Sequence, residues 1–164
     1  MKTILISFFC ILTNIAFGEA KEDTTVLKHQ ANIYLTRMYV KKQYDSASVM
    51  WDKRVLLEMR DFYNKRNQGQ LSDKVVSNRV KADVKKYYAR LTKFSIDKFL
   101  ASTVEVDKGY KMGYVFYQFT QTLKGKKTTD KAMLVFISED DGKTWLLQDW
   151  TVKWIAEQVN KNLL

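Results

Sequence analysis

Residues 110–150 read YKMGYVFYQFTQTLKGKKTTDKAMLVFISEDDGKTWLLQDW, and this stretch decides the fold. Met112 to Leu123 is a long run rich in Tyr, Phe and Val, side chains that favour the pleated backbone of a strand. Lys124-Gly125-Lys126-Lys127 reads as a basic hairpin tip, and Ala132 to Ser138 as the next strand. Glu139-Asp140-Asp141-Gly142-Lys143 is a turn whose Asp-Gly pair tolerates the positive φ of a tight hairpin. Thr144 to Trp150 forms a further strand. Strands joined by such short turns pair antiparallel, as a meander.

Both faces of these strands are apolar. Val115, Tyr117 and Phe119 point one way, and Tyr114 and Phe116 the other. Met133, Val135 and Ile137 likewise oppose Leu134 and Phe136, and Trp145 and Leu147 oppose Leu146 and Trp150. A sheet with one wet face alternates apolar with polar instead. The pattern therefore predicts a cover on each face. Helices supply one, and the C-terminal helix or a second subunit supplies the other, with a homodimer through the sheet face as one outcome.

Upstream, the period changes from two to 3.6 residues. Leu27, Ala31, Tyr34, Leu35 and Met38 place an apolar stripe on a first helix, Thr25 to Gln43, which Thr24 or Thr25 can cap. Asp45 is suited to cap a second helix from Ser46, which runs to Lys53 and onward toward Tyr63. Ser72 or Asp73 caps a third, where Val76, Val80, Val84, Tyr87 and Leu91 give the cleanest helical stripe. From Phe94 the chain turns β-like, through Ile96 and Phe99 to Glu105, and Asp107-Lys108-Gly109 makes a turn. Thr151 to Leu164 reads as a closing helix with Val152, Ile155, Ala156, Val159 and Leu163 on one side. Helices first and a meander after make an α+β architecture: N-terminal helices packed on a curved antiparallel sheet, with a C-terminal helix.

At the other end, residues 1–20 read MKTILISFFCILTNIAFGEA. A basic start, an apolar run from Ile4 to Phe17 and small residues at Ala16 and Gly18 form the pattern of a secretory signal peptide. The run is short for a membrane span, which needs roughly 20 apolar residues. Residues 1–18 are thus expected to be removed, leaving residues 19–164 as one α+β domain in the periplasm or outside the cell. The leader carries Cys10, the chain's one Cys, so the mature protein is expected to lack a thiol. One Cys and one His exclude a Cys/His zinc site, a multi-His haem and a disulfide scaffold.

The chain has 28 basic and 18 acidic residues, for a formal net charge of +10. Lys dominates and is spread along the chain in pairs such as Lys41-Lys42, Lys85-Lys86 and Lys126-Lys127. Nucleic-acid binding predicts a clustered patch, often with Arg, so no nucleic acid is expected. A solvated Lys-rich surface is the plain reading, with weak attraction to anionic surfaces as the sharper one.

Two short stretches carry a family resemblance. Tyr39-Val40-Lys41-Lys42-Gln43-Tyr44-Asp45-Ser46-Ala47 resembles the first-helix ending and "Tyr-Asp-x-Ala" opening of the nuclear-transport-factor-2-like (cystatin-like, α+β cone) superfamily. Ser138-Glu139-Asp140-Asp141-Gly142-Lys143-Thr144-Trp145 resembles a hairpin of its secreted bacterial members. The helical tail departs from the family's usual ending on a strand. The resemblance implies a cone enclosing a pocket, in a superfamily of isomerases, dehydratases, cyclases, assembly domains and binding modules, so fold alone does not decide catalysis.

In such a cone, Tyr34, Trp51, Tyr117, Phe119 and Trp145 are the candidate lining of an apolar ligand site, the competing reading being that they fill the core. No catalytic residue, metal ligand or cofactor is assigned. His29 reads as a surface residue. Asp52, Asp61 and Asp149 lie beside aromatics and read as caps or surface charges, although a buried Asp paired with a Tyr can act as a base. Asp140-Asp141-Gly142 lacks the alternating acids of a calcium loop, and Lys124-Gly125-Lys126-Lys127 lacks the strand–loop–helix setting of a phosphate loop. The reading is an exported binding protein for a small apolar ligand or an envelope protein. The alternatives are a hydro-lyase or isomerase using an Asp/Tyr pair, or an assembly or inhibitor component of an envelope complex.

Overall fold

The computed structural model describes residues 23–67, 69–107, 109–148, 155 and 159. The expected leader, Asp149, Trp150 and most of the C-terminal helix lie outside the described residues. Helix α1 covers residues 23–35 and passes into a π-helical turn, Thr36–Val40. Helices α2 (Tyr44–Ser48), α3 (Lys53–Asn67) and α4 (Asp73–Tyr88) follow. Then come strands β1 (Leu91–Asp107), β2 (Tyr110–Leu123), β3 (Lys126–Ser138) and β4 (Leu146–Gln148). They form one antiparallel sheet in the order β1-β2-β3-β4. The α+β class, with helices preceding a curved, unclosed sheet, is as the sequence indicates.

Helix α1 buries Leu27, Ala31, Tyr34 and Leu35, positions that share one helical face. It reaches β2 at Gly113, where an added Cβ would stand 2.5 Å from Leu27 Cδ1. Glycine is needed there for space, because the helix sits directly on the strand. The π turn closes with Lys41 N donating to Thr36 O at 2.8 Å, and Lys42 at φ 53° ends the helix.

Several boundaries differ from the sequence reading: α2 begins at Tyr44, so Asp45 lies in its first turn and not at its cap, β4 begins at Leu146 and not Thr144, and three further differences have a visible cause. The expected helix from Ser46 toward Tyr63 is interrupted at Met50–Asp52. There Leu147 N donates to Met50 O at 2.7 Å, and Asp52 N donates to Leu147 O at 2.8 Å. These bonds satisfy the open edge of β4, and tertiary pairing overrides local helical preference. Asp52 then restarts the helix, its Oδ1 accepting from Arg54 N at 2.9 Å as an N-cap does. Second, α4 ends at Tyr88, so Leu91 opens β1 opposite Leu123 instead of extending the helical stripe. Third, the hairpin tip is only Lys124-Gly125, at φ 51° and 78°, a mirror-image turn matched to strand twist. Lys126 and Lys127 already belong to β3, paired with Leu123 and Thr122.

The sheet's inner face carries Phe94, Ile96 and Phe99 of β1 with Val115, Tyr117 and Phe119 of β2. Leu134 and Phe136 of β3 and Leu147 of β4 complete it. All join the helices in one apolar core. Register shifts at Leu91/Lys93, Ile96/Lys98 and Phe99/Ala101 mark bulges in β1, which bend a strand and raise its twist. Ile155 and Val159, helical and buried, belong to this same core.

The outer face is divided, unlike the uniformly apolar face expected. Val135 and Ile137 are buried there, outside the main core cluster. Phe116 and Met133, directly opposite one another, are 38% and 43% exposed. Beyond them the face is polar.

Candidate functional site

The five aromatic candidates come together, but as packed core. Tyr34, Trp51, Tyr117 and Trp145 are buried members of the main cluster, and half-buried Phe119 packs against it. Trp51 Nε1 donates to Tyr34 Oη at 3.2 Å. The Tyr117 and Phe119 rings lie 5.6 Å apart, and Phe119 stacks on Phe94 at 5.3 Å. Phe94 in turn stacks on Tyr39 at 4.6 Å, and Tyr39 meets Tyr88 edge-on at 4.8 Å. Such ring contacts consolidate a core. Trp145 Nε1 is the exception, a buried donor with no acceptor among the described residues.

Two open clefts lie elsewhere, and none of the five aromatics lines either. One, of about 560 Å³, runs between the start of α2 and α4, past Lys42, Asp45, Lys81 and Lys85. Its charges are partly spent internally. Lys42 Nζ donates to Leu91 O at 2.9 Å, and Lys81 Nζ meets Asp45 Oδ1 at 2.8 Å. The bond from Lys81 holds the Asp45 carboxyl below the usual carboxylate range.

The second cleft, of about 440 Å³, lies beside the 139–143 turn, along Tyr110 and Lys111. Asp140 Oδ1 accepts from Ser138 Oγ and Thr144 N, each at 2.8 Å, and its carboxyl is pushed down to about 2, mainly by the bonds from Thr144. Lys111 Nζ stands 3.1 Å from both Asp23 Oδ2 and Asp141 Oδ1. Bonding to Asp141, then to Asp23, raises the Lys111 ammonium. The turn's carboxylates are thus bonded to protein donors. Among the described residues no group of three His, Cys, Asp or Glu is placed to hold a metal ion.

The other singled-out groups sit apart. His29 and Asp61 are exposed on helices. Asp52 is 2% exposed, and besides capping α3 it lies 3.7 Å from Arg54 Nε, while Arg54 also reaches Glu139 at 2.6 Å. A carboxylate–tyrosine pair does exist where the sequence reading did not look. Tyr63 Oη donates to Asp83 Oδ2 at 2.6 Å, joining α3 to α4. Burial first, then Asp83, drives the phenol's pKa up, so it stays protonated as a clamp. Twenty residues separate the two in sequence, too far for local patterning to reveal.

What the sequence reading missed is the composition of the outer sheet face. Direct cross-strand pairing puts Lys93, Thr122 and Lys127 in one row, Ser95, Thr120 and Thr129 in the next, then Lys98, Gln118 and Lys131. The fourth row is Ala101, Phe116 and Met133. Thr120 Oγ1 bonds Thr129 Oγ1 and Asp97 Oδ2, both at 2.9 Å. The four lysines are exposed, and among the described residues none is in an ion pair. The signal lay in the one-in-two spacing of Lys127, Thr129, Lys131 and Met133, visible once Lys126 is known to start a strand.

No protein-family model matches the chain, and no match is found among curated proteins.

Proposed function

We propose that this chain is an exported binding protein that works by surface contact through the outer face of its sheet. The observation that carries the reading is the exposure of Phe116 and Met133, paired across β2 and β3, while the aromatic pocket candidates are packed into the core. Contiguous exposed apolar side chains with a polar rim are a usual mark of an interaction surface. The order of helices and meander supports placing the chain in the α+β cone superfamily, which includes binding modules. The test is a photo-crosslinking side chain at position 116, with position 57 on α3 as control, in cells that export the protein. Adducts at 116 and not at 57 are expected. Equal or absent labelling at 116 would remove the reading. N-terminal sequencing of the exported chain should start after Gly18.

A small apolar ligand within the core is the second reading. It is favoured by the unpartnered indole N–H of Trp145, a polar handle inside an apolar surround. Native mass spectrometry of protein purified from its own host decides it: a bound small molecule supports this reading, and a bare chain mass rejects it.

A further inference from the structure

We infer that the outer face docks on an anionic lipid bilayer. This rests on the proposal above that the face is the working surface, and names its partner.

The argument begins with geometry. Lys93 and Lys98 on β1 and Lys127 and Lys131 on β3 flank β2 on one side of the sheet. Strands lie about 4.8 Å apart and rise about 3.4 Å per residue, so the four ammonium stems leave a patch of roughly 10 by 14 Å. The central strand offers the Thr122 hydroxyl and the second amide N–H of Gln118 between the lysines, donors of the kind phosphate oxygens accept from, while the Thr120 hydroxyl is taken up by Asp97. Asp97 is the acid near this patch. Its Oδ2 accepts from Thr120 and Gln118, at 2.9 and 3.4 Å, and it offsets one lysine.

The charges alone suit any polyanion. The row beyond them does not. Phe116 and Met133 are exposed immediately after Lys98 and Lys131, and Leu100, at the Phe99/Ala101 bulge, is 41% exposed. A soluble polyanion has no use for these groups. A bilayer does, because apolar side chains settle at the boundary between head groups and acyl chains while lysine heads remain at the phosphates. Lysine also fits this partner better than arginine would. It is a mobile point charge, suited to diffuse lipid phosphates, where arginine's planar fork selects a fixed bidentate partner. Among the described residues no helix is long and apolar enough to cross a membrane, so the contact inferred lies on the surface.

The test uses the exported form, residues 19–164, and two kinds of vesicle: mixed phosphatidylglycerol–phosphatidylcholine, and pure phosphatidylcholine. Binding to the mixed vesicles that weakens with salt is expected, with little binding to the neutral ones. Each lysine near an anionic surface is worth about fivefold in partitioning. Converting Lys93, Lys98, Lys127 and Lys131 to Gln should therefore lower binding by about a hundredfold or more. The same charge change at exposed Lys41, Lys65, Lys74 and Lys86 should lower it by less than about tenfold, through net charge alone. A second readout does not depend on the lysine variants. An environment-sensitive dye on Phe116→Cys, the single thiol once Cys10 has left with the leader, should shift to the blue on mixed vesicles, and the same dye on Leu57→Cys should not. Equal losses from the two lysine sets would overturn the inference, as would equal binding to both vesicle types. A soluble polyanion that binds while the dye at 116 stays silent on vesicles would overturn it too. Crosslinks from 116 to a protein, without vesicle binding, would overturn this inference and leave the surface-binding proposal standing. No crosslinks at 116 would end both.

Discussion

Replacing Gly113 with Ala tests the helix-on-sheet packing by the sign of its effect. Glycine in a strand interior is worse than alanine by about 0.5–1 kcal/mol, from backbone entropy alone. On an unobstructed strand, G113A would therefore stabilise the protein. Here the new methyl would meet Leu27 Cδ1 at 2.5 Å, Cδ2 at 2.8 Å and Cγ at 3.2 Å. Leu27 is fully buried and has no solvent to swing into. Overpacking of a core by one methyl costs about 1–3 kcal/mol. The net expectation is a loss of about 1–2 kcal/mol, read from urea unfolding monitored by tryptophan fluorescence. The variant L27A alone should cost about 2–5 kcal/mol, since it leaves a cavity under α1. In the double variant the alanine methyl enters that cavity, so adding G113A to L27A should be neutral or stabilising. A non-additive cycle of at least about 1 kcal/mol follows. Stabilisation by G113A in the otherwise unchanged protein, or simple additivity with L27A, would refute the direct seating of α1 on β2.

Asp52→Ala removes the cap of α3 and should cost about 1–2 kcal/mol in the same assay, whereas Asp61→Ala, exposed on the same helix, should change little. Tyr63→Phe should cost about 1–2 kcal/mol by leaving Asp83 without that donor, and the Tyr63 phenol should ionise above the ordinary tyrosine range in an ultraviolet alkaline titration. Asp140 is held at about 2 against its ordinary 3.8. Its contribution to the turn is therefore present above pH 3.8 and lost as pH falls through about 2. The amide resonances of Gly142 and Thr144 should shift across that window in the native protein and not in Asp140→Asn.

The stripes of α1 and of α4 as far as Val84 were legible because each is a local pattern that burial confirms. Val76, Val80 and Val84 sit on one face of α4 and are buried there. The meander was legible for the same reason, from Met112 to Leu123 and from Ala132 to Ser138. The failures share one cause, which is pairing at a distance. Met50 to Asp52 reads as helix because nothing nearby shows that Leu147 will bond to it. The first half of β3, Lys126 to Lys131, reads as loop because its side chains are polar, yet it is paired with β2 throughout. The candidate pocket suffered likewise. Five large aromatics suggest a lining as readily as a filling, and only the packing of Tyr34 on Trp51 and of Phe119 on Phe94 shows them meeting one another.

The lysines of the outer face have a second physical consequence, set by where the sheet ends. Strand β1 is an edge, and β4 covers β3 only from Val135 to Ile137. Lys93 and Lys98 therefore stand on one open edge, and Lys127 and Lys131 on another. Lysines on an edge discourage strand-to-strand aggregation, because pairing would bring like charges together. That role accounts for lysine at these positions, but it gives no reason for Phe116 and Met133 to be exposed between the edges. An edge-protecting charge works best when the face it borders is wet. An apolar row left bare beside it works against solubility, unless something covers the row when the protein acts. The two effects separate experimentally. Edge protection predicts that the four-lysine variant self-associates as its concentration rises, with Phe116 irrelevant. Surface docking predicts that Phe116→Ser lowers vesicle binding while the chain remains monodisperse.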